Sequence, residues 1–221
     1  EQVIIEKNSN KIQKQIEFFE EIKQRALAHP AEYLTIIPMG SGEIFASHSG
    51  LKFLESLADY PHRNLKIQLT TNGTLITKNI KILKRIHHLL SRVEISIDAA
   101  TPDTYSVVRG GNWSELIAGL DFFHGIKKPL FFKYAVQKNN WHEIVDFAEF
   151  AHTYNANIYY SNLLDWGHWT IKWWHDNNVL DRHNEHYKSV LTSLQQVKNK
   201  YPRKVEFSAD IIRNLKKIEH T

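Results

Sequence analysis

Cysteine is absent from all 221 residues of this chain. That single absence removes disulfides and every thiolate-ligated metal centre from what these residues can build by themselves. No run approaches the ~20 apolar residues of a membrane span, so no transmembrane helix is expected. Glu1 opens a polar, helix-forming stretch, and no secretory leader is expected either. The chain carries no repeats and no low-complexity tract. Its 28 Lys and Arg against 24 Asp and Glu leave a net charge of only +4. Apart from Lys127–Lys128 and Lys216–Lys217 the basic residues are scattered, which argues against a nucleic-acid partner. The expected location is the cytoplasm.

What is present reads as an ordinary soluble composition, with 42% apolar and 24% charged residues. The length suits one domain with a sizeable core. Thirteen His can add positive charge below about pH 6.5. Helical and strand patterns alternate. Ile12, Ile16, Phe19, Ile22 and Ala26 recur at helical spacing behind a cap at Asn8-Ser9-Asn10, and Pro30 ends that helix. Tyr33 to Met39 reads as a buried strand closed by Gly40-Ser41-Gly42. A helix marked by Leu51, Leu54 and Leu57 follows. Leu65 to Thr70 is the next strand, then a helix over roughly 78–90, a strand over 92–99 and a loop over 100–112. A helix from Trp113, a strand over 129–137, a helix over 141–154 and a strand through Ile158 to Ser161 complete the series.

Strands that each lead into a helix or loop argue for a parallel sheet with helices outside. The expected fold class is α/β, a partial (β/α)6 TIM-like barrel over residues 1–164. An aromatic-rich, helical C-terminal extension over 165–221 is expected to be an elaboration rather than a further barrel unit. Trp166, Trp169, Trp173 and Trp174 in it read as a packing lid. His168, His175, His183 and His186 are too irregularly spaced for a metal site, and none is assigned.

Two strands break the continuous apolar run usual for parallel strands buried on both faces. In Val93-Glu94-Ile95-Ser96-Ile97-Asp98 and Ile67-Gln68-Leu69-Thr70-Thr71-Asn72, aliphatic and polar positions alternate at the start. Glu94, Ser96 and Asp98 therefore share one face, as do Gln68, Thr70 and Asn72. Lys133 and Gln137 add a third polar set. With the aliphatic faces on the outer helices, the polar faces line a barrel interior that holds a polar ligand and water. An antiparallel sheet with one solvated face is the alternative. Strand C-termini are where such folds place their chemistry, and Gly40–Glu43, Thr71–Gly73 and Asp98–Thr101 sit there.

Those three segments carry a resemblance. Gly40-Ser41-Gly42-Glu43 is similar to the G-x-G-E-P turn of radical S-adenosylmethionine (SAM) enzymes, with Ile44 in place of Pro. Thr71-Asn72-Gly73-Thr74 resembles their T-N-G turn. Ser96-Ile97-Asp98 through Tyr105 to Arg109-Gly110-Gly111 resembles the following S-x-D segment ending in R-G. The resemblance covers roughly Ile12 to Trp169. It implies that Gly40, Gly42 and Glu43 hold the amino group of SAM and that Ser96 and Asp98 reach its ribose. It further implies that Arg109 positions the SAM carboxylate and that Asn72 lies near SAM or substrate.

In that family a [4Fe–4S] cluster reductively cleaves SAM to a 5′-deoxyadenosyl radical that abstracts hydrogen from a substrate. An electron donor such as flavodoxin or ferredoxin supplies the reducing equivalents. The family's C-x-x-x-C-x-x-C loop should lie at or before Glu1, so the cluster is expected only in an intact protein and is not ligated here. Substrate and catalytic residues are not assigned. Two other readings remain: a cluster-free barrel serving as a binding or scaffold module, and an α/β barrel hydrolase using Glu43 and Asp98.

Overall fold

A computed structural model describes residues 9–38, 42–165, 167 and 169–219. In chain order the elements are α1 (Ser9–Ala28), β1 (Leu34–Ile36), α2 (His48–Ser56), β2 (Leu65–Thr71), α3 (Ile80–Ile86), β3 (Leu90–Ser96), α4 (Pro102–Arg109) and α5 (Trp113–Gly125). Then come β4 (Leu130–Val136), α6 (Ile144–Thr153), β5 (Asn157–Asn162), α7 (Ile171–Asn177), α8 (Tyr187–Lys200), β6 (Val205–Phe207) and α9 (Ala209–Glu219). Six parallel strands in chain order make an α/β sheet of the partial TIM-like class. Among the described residues no helix is long and apolar enough to cross a membrane.

The chain divides into two compact units, Glu1–Glu94 with Glu115–Pro129, and Ile95–Ser114 with Leu130–Thr221. In the first, β1 pairs parallel with β2, Leu34 opposite Leu65 and Ile36 opposite Ile67. The expected burial of this first strand is not what is found. Tyr33 is 86% and Ile37 50% exposed, and only Ile36 of β1 is buried. β1 stands at the end of the strand order, so among the described residues one of its sides has no neighbour in the sheet. Met39, Gly40 and Ser41 lie outside the described residues, as does Asn8 of the expected cap.

α1 packs through Phe19, whose ring stacks on Phe53 of α2 at 4.3 Å, and Ser49 donates to Gln15 at 2.8 Å. Its C-terminus is held by Asn64, whose side-chain amide donates to the Ala26 carbonyl at 2.8 Å while accepting from Tyr60 at 2.8 Å. That bond satisfies one of the carbonyls a helix end leaves open. α5 approaches so closely that a side chain at Gly119 would meet Ile76 at 2.9 Å.

In the second unit β4 and β5 pair parallel, Phe132 opposite Ile158 and Tyr134 opposite Tyr160. β5 pairs in turn with β6, Ile158 opposite Val205. The C-terminal region is therefore not a purely helical elaboration. β6 adds a strand, which α9 follows. The expected loop over 100–112 is also corrected, because it contains α4. Thr101 caps α4 by accepting from the Thr104 amide at 3.3 Å, Pro102 fills its first position, and Gly110 closes it at φ 64. Those are the start and stop signals a helix uses.

The alternation read from the strands is real in each. Leu65, Ile67 and Leu69 are 0% exposed while Lys66, Gln68 and Thr70 between them are half-buried. Phe132, Tyr134 and Val136 are likewise sealed, with half-buried Phe131, Lys133 and Ala135 between them. Burying an aromatic or aliphatic side chain contributes roughly 1.5–3 kcal/mol, so the sealed faces fix the register.

Candidate functional site

The first unit builds its candidate site from two turns at strand ends. Glu43 precedes a single 3-10 turn (Ile44–Ala46) and caps it, accepting from the Phe45 amide at 3.4 Å. The same carboxylate receives the Thr71 hydroxyl at 2.8 Å and the Asn72 amide at 2.7 Å. Glu43 thereby ties the turn after β1 to the turn after β2. It remains half-buried. Gly73 follows at φ 85, a left-handed value that a side chain would strain, and donates to the Thr71 hydroxyl at 3.1 Å. Asn72 folds the turn further, its Oδ1 accepting from the Thr74 amide at 3.0 Å and the Thr74 hydroxyl at 2.7 Å. Among the described residues that leaves the Asn72 Nδ2 as its uncommitted group.

Two positions upstream of Asn72, the Thr70 hydroxyl is buried and has no hydrogen-bond partner among the described residues. Leaving a buried hydroxyl unpaired costs about 1–3 kcal/mol. An unpaired polar atom on the face that Gln68 and Asn72 share is what a polar ligand would satisfy.

The second unit builds around Asp98, at φ 58 and 6% exposed. Its Oδ1 accepts from the Ala135 amide at 2.6 Å and its Oδ2 from Arg109 at 3.1 Å. Burial, the largest influence, raises the Asp98 pKa above the usual carboxylate value, and the Arg109 charge opposes the rise. Asn140, fully buried, donates to the Asp98 and Ala135 carbonyls at 3.0 and 2.9 Å and accepts from the Gln137 amide at 2.8 Å. Asp98 is thus neither a helix cap nor an Asx turn. It fixes the end of β3 against β4 and holds Arg109, which spends one of its five N–H donors there. Ser96, the last residue of β3, is half-buried and its hydroxyl stays outside this network.

One carboxylate escaped the sequence reading. Glu143 is 4% exposed and accepts from the Ala100 amide at 2.7 Å, the Thr101 hydroxyl at 2.5 Å and the Thr104 hydroxyl at 2.8 Å. It clamps the turn that leads from Asp98 into α4. Some 42 residues separate it from Thr101, so no local pattern announces it.

Of the expected lid, Trp169 stacks on Trp173 at 3.8 Å and is 42% exposed. Trp166 and His168 lie outside the described residues, as does Gly40.

Two GTP 3′,8-cyclases align with parts of the chain. That of Petrotoga mobilis is 38% identical over 80 residues, 36% of this chain and 24% of the relative. That of Alkaliphilus metalliredigens is 31% identical over 102 residues, 46% of this chain and 31% of the relative. The matches therefore span about a quarter to a third of those proteins. Among solved structures, Streptococcus suis SuiB bound to its precursor peptide SuiA superposes with a TM-score of 0.61 at 12% identity, covering 92% of this chain and 44% of SuiB, a likeness of fold. The model of the radical SAM superfamily matches residues 8–151, which hold both turns and the Asp98 and Glu143 networks, and this chain belongs to that superfamily.

Proposed function

We propose that this chain is the SAM-positioning part of a radical SAM enzyme. The observation that carries the proposal is the Glu43 carboxylate, bonded at 2.8 and 2.7 Å to the turn Thr71-Asn72. Two segments that resemble separate family motifs thus form one polar construction with a negative charge at its centre. The uncommitted Asn72 amide and the unpaired Thr70 hydroxyl supply further polar groups on this unit. On the first unit Glu43 suits the SAM ammonium; on the second, taken by itself, the Ser96 hydroxyl suits a ribose hydroxyl and the remaining Arg109 donors a carboxylate. Asp98 acts on such a carboxylate through Arg109, because both of its oxygens are already bonded.

A reduced cluster, where present, would supply the electron for SAM cleavage and so for hydrogen abstraction from a substrate. The residues present do not fit a cluster, since there is no thiolate among them, and no step through one is assigned to them. The same fact favours a second reading, a cluster-free binding module. Iron and sulfide analysis of the intact protein separates the two, with about four irons supporting the enzyme and none supporting the module.

Calorimetric titration of SAM into the intact protein tests the site. Glu43→Ala removes a charged partner and should weaken binding about tenfold or more. Ser96→Ala removes a neutral hydrogen bond, about 0.5–1.5 kcal/mol, and should weaken it roughly two- to twelvefold. Unchanged affinity in both folded variants would overturn the proposal.

A further inference from the structure

We propose that the side-chain amine of Lys128 is a site of covalent acylation by acyl phosphates, with the Lys66 ammonium beside it receiving the departing phosphate. Both residues belong to the first unit. Lys66 is the second residue of β2, whose other end leads into the Asn72 turn, so the pair lies at the end of the strand away from that turn. The proposal does not rest on the SAM reading.

The placement of Lys128 follows from how α5 ends. The helix is closed without a glycine. Lys127 takes φ 54, its amide donates to the His124 carbonyl at 2.9 Å, and the Lys128 amide reaches back to the Phe123 carbonyl at 3.1 Å. These are the paired bonds of a Schellman turn, with Lys127 as its left-handed residue. Pro129 then accepts from the Val93 amide at 3.0 Å, which ties the segment to β3. Of two neighbouring lysines, Lys127 is left exposed and Lys128 is half-buried. The Lys128 ammonium donates to the carbonyl of Leu90, the first residue of β3, at 3.2 Å. Lys66, also half-buried, donates to the His88 carbonyl at 3.5 Å.

Two like charges thus bond carbonyls two residues apart, and among the described residues neither lysine has a carboxylate partner. The carboxylate that follows on β3, Glu94, pairs with Arg92 at 2.8 Å. Burial, the larger influence, lowers the Lys128 pKa from its ordinary value, and the Lys66 charge lowers it further. A lysine desolvated beside another cation is an activated nucleophile. As a neutral amine it can donate one N–H to Leu90 and still offer its lone pair. That lone pair attacks the acyl carbon, and the bond from this carbon to the phosphate oxygen breaks. Inorganic phosphate departs with the electron pair beside the Lys66 charge, a cation suited to phosphate. The attacking nitrogen releases its proton to water. An amide remains, and Lys128 has lost its positive charge.

Incubating the folded protein with acetyl phosphate, and following each lysine by peptide mass spectrometry, tests the site. Lys128 should acetylate several-fold faster than Lys127, its exposed neighbour, which would win if access alone decided. Lys66→Ala should slow acetylation of Lys128 several-fold and leave Lys127 unchanged, whereas Lys66→Arg keeps the charge and should restore it. Thermal melting of both variants checks that they are folded. Acetic anhydride, which carries no phosphate, provides a measurement that needs no variant, and with it the preference for Lys128 should shrink. Labelling of Lys127 as fast as Lys128 would overturn the proposal. So would a folded Lys66→Ala variant that labels Lys128 at the parental rate, or an undiminished preference with the anhydride.

Discussion

Glu43 and Glu143 perform the same local task in different surroundings. Each carboxylate accepts a threonine hydroxyl and a backbone amide from a turn at a strand end. Glu143 is sealed at 4% exposure, and its three bonds run from 2.5 to 2.8 Å. Glu43 is half-buried, and its third bond, to the Phe45 amide, stretches to 3.4 Å. A carboxylate has room for about four donors. Glu143, shut off from water and surrounded by its own chain, can only hold the turn. Glu43 keeps accessible charge, so the same bonding pattern leaves it able to meet a cation.

The sharpest way to break this comparison is Glu143→Ala. It orphans a part-buried amide and removes the acceptor of two threonine hydroxyls, and should cost on the order of 3 kcal/mol. For a chain of this size that lowers the melting temperature by roughly 6–12 °C, which scanning calorimetry reads directly. An unchanged melt would mean that Glu143 is not the rivet its burial suggests. Glu43→Ala should cost less, about 1–2 kcal/mol, because Glu43 is only half-buried and water can enter where its carboxylate stood. A larger loss than for Glu143→Ala would invert the comparison.

The smallest expected effect is one of slope and concerns Asp98. Its folded pKa is raised, chiefly by burial, so the folded state holds this proton more tightly than the unfolded chain does. Its contribution to stability is therefore complete below about 3.8, the unfolded value, and declines as pH rises through the folded one. Asp98→Asn should flatten that decline in urea titrations across acidic pH. A decline that persists in the variant would assign it to another group.

Much of this was legible in residues 65–98, where period-two alternation named both the sealed and the half-buried faces. The Gly-Glu and Thr-Asn-Gly turns pointed to Glu43 and Asn72 because short turn chemistry is local. α4 was legible too, since Thr101, Pro102 and Gly110 spell its start and stop, but the motif resemblance drew attention to the same residues as a loop. β6 was not. Val205-Glu206-Phe207 is too short to show a period, and only its pairing with β5 makes it a strand. Glu143 was hidden for a related reason, its partners lying about forty residues away on another element. β1 misled through its apolar content, because exposure at a sheet edge depends on which neighbours are present.

The Thr70 hydroxyl has a consequence for how a ligand would be received. Folding has already stripped it of water and given it no partner among the described residues. Its rotation is confined by a β-branched side chain on a strand whose neighbours Leu69 and Thr71 are sealed. An arriving acceptor would therefore meet a donor that needs neither dehydration nor ordering, two steps that ordinarily weaken association. A donor held in this way is preorganised for the binding proposed above, and the same group leaves the chain slightly less stable than a valine of equal shape would.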